Sequence, residues 1–567
     1  MTYKIIYEFC HSFPFIIKIK TINCRNIKRT FLKKTFLFVS VFYLFAAAII
    51  FPYVRWYADN PDTFQYLAIA SKYLSGDWLY AVNGYWSPMI SWQLIIPLFF
   101  IYDQLFAFKI LQVLIGLFTI WQWTKLLDKT SIQKSRKNIL AYVLIPFVLV
   151  YALLNATPDL LFMGLLLMLI NQILSEDIFT NANRSIQAGI TGALLYLTKG
   201  FGFPFFIALT LIIILFEWCR KEKNKIVWTN VFRLYVMFFI ICCVWIIALS
   251  LHYGHFTISE AASFNMSRDA APLPGRSAGL PVLNKGLYSP LAHSYSAWET
   301  PGEYVSKERV TLFNSKSDYL KIIKRNLLSI YYFDFSHQAG FLFLFLLFLF
   351  LFLKGIKELF KERWRMILLI FIFLFYGGYT LILVHSRYTW INSLLMLILS
   401  AYFIQTIFYK RSLKYISTIL FVLIILLSVK RPVKEILFSS DSDYPVHWVF
   451  NSLKHPFVTM WIFYRSDIEL QRVIKDVKAK KILKGNIASL KIKGLDRDPY
   501  SRSLQIVQNS GGRYYGQLDN EMEIKLQEDE LKKMSIDYLI TWKNTKWGNE
   551  LPVYYNEGVG IKIYFLR

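Results

Sequence analysis

Cysteine is scarce in this 567-residue chain. The five residues Cys10, Cys24, Cys219, Cys242 and Cys243 show no metal-pair spacing, which excludes a disulfide framework and a zinc module as organising features. The eight histidines form no H-E-x-x-H or comparable pattern. No metal ligands are therefore assigned and no cofactor is required; a divalent cation is the one group the chemistry leaves open. Acidic residues are also few, 37 Asp and Glu against 64 Lys and Arg, for a formal charge of +27. Such an excess can mark nucleic-acid binding, but here it is grouped in short loops between apolar runs, where membrane orientation and anionic lipid headgroups account for it. There is no internal repeat. A cleavable leader is not expected either, because the short FPFII run is followed by Lys18, Lys20, Arg25, Lys28, Arg29, Lys33 and Lys34.

What is abundant is apolar surface: 55% of residues are hydrophobic and 18% aromatic. Long apolar runs read as spans at residues 36–54, 105–123, 139–156, 159–175, 186–199, 202–217, 229–252, 339–353, 366–384, 388–409 and 415–429. Residues 88–101 are apolar but short and broken by Pro97, so they are read as interfacial or re-entrant. With about eleven spans, every short basic loop falls on the cytoplasmic side, as the positive-inside rule requires. The fold class is thus an α-helical polytopic membrane protein with a small C-terminal α/β domain. Residues 1–35 form a basic cytoplasmic segment, 36–430 the transmembrane domain with extracytoplasmic loops 55–104 and 253–338, and 431–567 an extracytoplasmic domain. That domain carries a helix near 467–481 and strands near 487–492, 536–541 and 559–565.

The same topology gathers a set of polar residues at the outer ends of spans. Asp59 and Asp62 precede a helical pattern in which Asn60-Pro61-Asp62 is a good start. Asp62 can serve only as a helix-start residue, or it can act as a general base at the membrane–water boundary. Asp159, after Thr157-Pro158, can likewise be a simple charge at a helix N-terminus. Lys199 and Arg387 can be snorkelling cations, or together a clamp for a lipid phosphate. Tyr66, Tyr85 and Trp86 are candidate walls of a sugar site or interfacial aromatics, and His385 and Tyr388 flank Arg387. Residues 253–338, with Arg268, Arg276, His293, Trp298, Glu299 and Glu303, are long enough for a mobile acceptor-binding lid. Asp496-Arg497-Asp498 is a D-x-D outside any nucleotide-binding pattern and reads as a solvated turn.

Five segments in order carry a resemblance: Asp62 and Tyr66 as D-x-x-x-Y, Asn83-Gly84-Tyr85-Trp86-Ser87-Pro88, Thr157-Pro158-Asp159, GALLYLTKG at 192–200, and Arg387-Tyr388. Over residues 36–410 this set resembles the GT-C integral membrane glycosyltransferases, in the branch of protein O-mannosyltransferases and lipid A aminoarabinose transferases. The resemblance implies a polyprenyl-phosphate sugar donor and a cell-envelope acceptor that is lipid, glycan or protein. It makes Asp62 the base, Asp159 a second carboxylate, and Lys199 and Arg387 phosphate ligands. It further implies a multi-pass protein of a bacterial inner membrane, with its active site extracytoplasmic and no nucleic-acid partner. The family often has two adjacent acidic residues where this chain has Asp62-Thr63, so the choice between Asp59 and Asp62 stays open. The reading from another class is a transporter or flippase of a lipid-linked saccharide, which would place ionisable groups near the midplane or use inverted repeats.

Overall fold

The computed structural model describes residues 31–566 except 59, 220–225, 271–285, 305–315, 337–338, 439–455, 492–498, 544, 546 and 549. Asp59, Arg276, the Arg268 side chain, most of the basic N-terminal segment and Asp496-Arg497-Asp498 therefore lie outside the described residues.

All eleven expected spans are helical. Phe31–Val54 (α1) is followed by the polar stretch, in which Asp62–Ser75 (α2) and Met89–Phe100 (α3) are helices. Then come Gln104–Asp128 (α4), Lys134–Leu149 (α5, prolonged by a π-helical turn to Leu154), Asp159–Ile173 (α6), Ala182–Thr198 (α7), Gly202–Cys219 (α8) and Trp228–Tyr253 (α9). After an irregular region, Lys316–Ile330 (α10), Gly340–Lys354 (α11), Arg363–Thr380 (α12), Ser386–Ile407 (α13) and Lys414–Phe438 (α14) complete the bundle. Among the described residues seven helices are long and apolar enough to cross a bilayer, and an eighth if the pair around α10 and α11, bent by 86°, counts as one span. The chain is a multi-pass integral membrane protein. Part of the difference from eleven comes from short helices. The 15 residues of α6 rise about 22 Å, less than a hydrocarbon core of about 30 Å. Nearly every α6 residue is buried by neighbouring helices, so protein rather than lipid covers its ends. The 12-residue α3 contains Pro97 and is shorter still.

Close approach of α7 and α9 depends on Gly189, where an added Cβ would lie 2.2 Å from the Leu234 carbonyl oxygen. Small residues serve this purpose between membrane helices, and a backbone neighbour cannot rotate away. Gly189→Ala is expected to lower stability by about 1–3 kcal/mol, seen as a lower unfolding temperature in detergent. Gly377→Ala, with nothing within 4 Å of its Cβ, leaves that temperature unchanged.

The C-terminal part begins with Pro456–Ala479 (α15) and builds a mixed six-stranded sheet. Its strands are Gly286–Leu287 (β1), Asn486–Lys491 (β2), Arg513–Asp519 (β3), Tyr538–Thr541 (β4), Tyr554–Asn556 (β5) and Ile561–Phe565 (β6). The order is β1-β3-β2-β4-β6-β5, with β2 parallel to both β3 and β4 and the other pairs antiparallel. Helices Pro499–Ser510 (α16) and Ile524–Lys533 (α17) connect the parallel strands, since a parallel pair needs a crossover connection. Sequence patterning predicts β2, β4 and β6 but not β3, because RYYGQLD mixes charge and glycine along a strand buried on both faces. Nor does it predict β1, which the region before α10 contributes from more than 200 residues upstream.

Residues 253–338 are thus not one open loop. Their described middle, 286–304, is packed down, with Trp298 only 2% exposed and Glu299 1%.

Candidate active site

The polar stretch after α1 is anchored before it reaches the site. Lys109 of α4, fully buried, donates to the carbonyls of Val54 and, at 2.8 Å, Tyr57. The Val54 carbonyl also accepts from the Tyr57 N–H at 3.0 Å, so the ammonium ties together the turn that closes the end of α1.

Pro61 precedes α2 and the Asp62 N–H donates to Asn60 Oδ1 at 3.0 Å. The Asp62 carboxylate is not spent on its own helix. Oδ1 accepts from Trp298 Nε1 at 3.3 Å, and Oδ2 from Arg387 Nη2 at 2.7 Å. Asp159 opens α6 after the Thr157-Pro158 turn. Its Oδ2 accepts from Thr157 Oγ1 at 2.6 Å, its Oδ1 is paired with Lys199 Nζ, and Arg387 Nε stands 3.8 Å from Oδ2.

Arg387 therefore bridges two carboxylates that open different helices. Lys199, just past the end of α7, lies with Nζ 4.0 Å from the Tyr388 ring centroid, a cation–π contact. The side chains of Lys199 and Arg387 are 17% and 24% exposed. Both fold inward onto anions, which removes the snorkelling explanation. The four charges cancel, yet Arg387 Nε, a buried donor, has no hydrogen-bond partner among the described residues.

Tyr388 stacks on Tyr379 at 5.1 Å, and Tyr151 donates its hydroxyl to the Arg387 carbonyl. Beside these groups lies a small cavity of about 10 Å³ between α6, α12 and α13. Tyr151, Asp159, Arg387 and Tyr388 form its polar side, and Phe162, Met163, Leu166, Phe375 and Ile391 its apolar side. From Asp159 to Leu166 is seven residues, about 10 Å along the helix.

The aromatic candidates form a different structure. Tyr66 lies edge-on to Trp86 at 5.3 Å, Trp86 to Tyr85 at 4.5 Å and to Trp298 at 5.6 Å. The rings pack on one another behind Asp62, a wall rather than an open platform. Burial, followed by the Asp62 carboxylate, holds the Tyr66 phenol well above its ordinary range, so it stays neutral. Tyr85 donates to Asn265 Oδ1 at 3.4 Å. His385 is exposed at the rim, 5.7 Å from the Tyr388 ring.

The structure brings together Asp62, Asp159, Lys199, Arg387 and Tyr388, with Tyr66 and Trp86 behind them. Tyr151 and Tyr379 carry no signal in the sequence: a lone Tyr in a helix looks like any interfacial residue. Trp298 was legible only as one of several polar-loop residues. Among the described residues, no group of three or more His, Cys, Asp or Glu is arranged to hold a metal ion.

No family model matches this chain, and no curated protein does. Solved structures are similar in overall form. ArnT from Cupriavidus metallidurans bound to undecaprenyl phosphate has a TM-score of 0.47 at 12% identity, over 92% of this chain and 97% of that one. Its apo form gives 0.46 and 11% over the same shares. The Archaeoglobus fulgidus oligosaccharyltransferase, in complex with zinc and sulfate, has a TM-score of 0.46 at 12% identity, over 94% of this chain and 73% of that one.

Proposed function

We propose that this protein is a glycosyltransferase that moves a sugar from a polyprenyl-phosphate donor to a lipid, glycan or protein acceptor of the cell envelope, on the extracytoplasmic side of the membrane. The observation that carries this reading is the convergence of Lys199 and Arg387, folded inward onto Asp159 and Asp62 at the ends of apolar helices. An anionic phosphate head is the ligand chemistry that two such cations suit. The ordered motifs resembling GT-C glycosyltransferases point the same way.

In this mechanism the donor phosphate takes up the free Arg387 Nε and the Lys199 ammonium. Asp62 removes the proton from the acceptor hydroxyl, whose oxygen attacks the anomeric carbon as the C–O bond to phosphate breaks. The electron pair leaves with the polyprenyl phosphate, which gains one negative charge that the two cations neutralise. Configuration inverts and no covalent enzyme intermediate forms. Asp159 orients the cations; its oxygens are already occupied by Thr157 and Lys199.

The test is reconstitution in proteoliposomes with a panel of labelled polyprenyl-phosphate sugars and envelope acceptors. Transfer of label to an acceptor is expected. Movement of the intact donor across the bilayer without transfer would establish the flippase reading instead.

A further inference from the structure

Asp62 is gripped by Trp298, a residue that belongs to neither the bundle nor the C-terminal part alone. Trp298 sits in the 3-10 turn Ala297–Glu299. One face of that turn is fastened to the α2 side. The Trp298 carbonyl accepts from Trp86 Nε1 at 3.1 Å, the Glu299 carbonyl from Asn83 Nδ2 at 2.7 Å, and the Glu299 carboxylate pairs with Lys72 of α2. The preceding residues are fastened to the C-terminal sheet. β1 pairs with β3, the Tyr514 N–H donates to the Tyr295 carbonyl at 2.6 Å, and Arg513 donates to the carbonyls of Pro290 and, at 3.4 Å, Leu291. The domain also reaches α2 directly, through Gln508 Nε2 to the Phe64 carbonyl at 3.4 Å.

We propose that Trp298 is a positioning residue for Asp62, and that the C-terminal sheet, acting through the 286–299 segment, sets the geometry of the acceptor side of the reaction. This rests on the glycosyl-transfer reading above. A carboxylate offers about four acceptor directions on two oxygens. With Arg387 on Oδ2 and the indole N–H on Oδ1, its plane is fixed at both ends, and the second lone pair of Oδ1 is presented to the acceptor hydroxyl. Without the indole donor the carboxylate can turn about its Cβ–Cγ bond, and a base displaced by about 1 Å loses on the order of 100-fold in rate. Donor binding is untouched, since the Trp298 N–H donates to the carboxylate and not to the cations.

The experiment uses the full-length protein in proteoliposomes. Trp298→Phe keeps a buried ring and removes the donor; kcat is expected to fall about 10- to 100-fold, with the KM for donor within about twofold of wild type. Arg513→Ala, on the far side of the segment, lowers kcat in the wild-type background but adds nothing to Trp298→Phe, because it acts through the same contact. A Trp298→Phe enzyme with wild-type kcat overturns the positioning role. If Trp298→Phe proves unfolded, Arg513→Ala with wild-type kcat, or with an unchanged ratio of acceptor to donor effects, overturns the role of the sheet. Wild-type kcat in Trp298→Phe beside an inactive Asp62→Asn sinks this inference alone, whereas an active Asp62→Asn sinks the assignment of the base.

Discussion

Replacing Asp62 with Asn lowers kcat by about 10²–10⁴-fold, the range of a lost general base, while donor affinity is kept or improved. The second half of that result follows from the geometry. Asn still accepts from Trp298 through its amide oxygen, so the 3.3 Å contact and the packing behind it survive. What disappears is the charge on Oδ2, the closer of the two carboxylates to Arg387, at 2.7 Å against 3.8 Å for Asp159. Arg387 is then freer to bind a phosphate. Rates of transfer and binding of polyprenyl phosphate, measured on the same protein, separate the two effects. An Asp62→Asn enzyme with full transfer removes Asp62 from the mechanism. Asp59→Asn is the companion variant, because the choice between the two acidic residues that the sequence leaves open is made by their separate transfer rates.

The double variant Lys199→Ala, Arg387→Ala is expected to lose donor binding by about 10²–10⁴-fold, since each charge-assisted hydrogen bond contributes about 1.5–3 kcal/mol. It also endangers the fold. Asp159 is 7% exposed and Asp62 8%, and stripping the partner from a buried ion costs about 3–5 kcal/mol. Adding Asp159→Asn removes one stranded charge and restores part of the thermal stability, yet it cannot restore the clamp. A stable triple variant that binds polyprenyl phosphate like wild type would show that the two cations are structural only. Arg387→Lys keeps the charge but loses the planar fork that spans Asp62 and Asp159, so it is expected to weaken donor binding less than the alanine variant and to lower kcat through the slackened carboxylate.

Much of the fold was legible because hydropathy is a local property. The runs from 36–54 to 415–429 all became helices, and the short run at 88–101 became a 12-residue apolar helix. The number of true crossings was less legible, since short helices such as α6 are enclosed by protein and need not match the lipid thickness. In the C-terminal part β2, β4 and β6 showed the alternation or apolar content of strands, whereas β3 and β1 did not, because pairing partners rather than their own composition make them strands.

The candidate site divides in the same way. Asp62, Asp159, Lys199 and Arg387 stood out as charged residues at the ends of apolar runs, a feature read from neighbours one or two positions away. Hydropathy and helix-start residues sufficed to single out the candidate side chains and the membrane class of the protein. Only tertiary structure decided that Arg387 holds Asp62 across 325 residues of sequence, that Lys199 is bound to Asp159, and that Trp298, on a segment paired with the C-terminal sheet, donates to the Asp62 carboxylate. Those pairings are set by which helices pack side by side and which strand completes a distant sheet. Such contacts depend on the whole chain at once and leave no mark in the local spacing of residues.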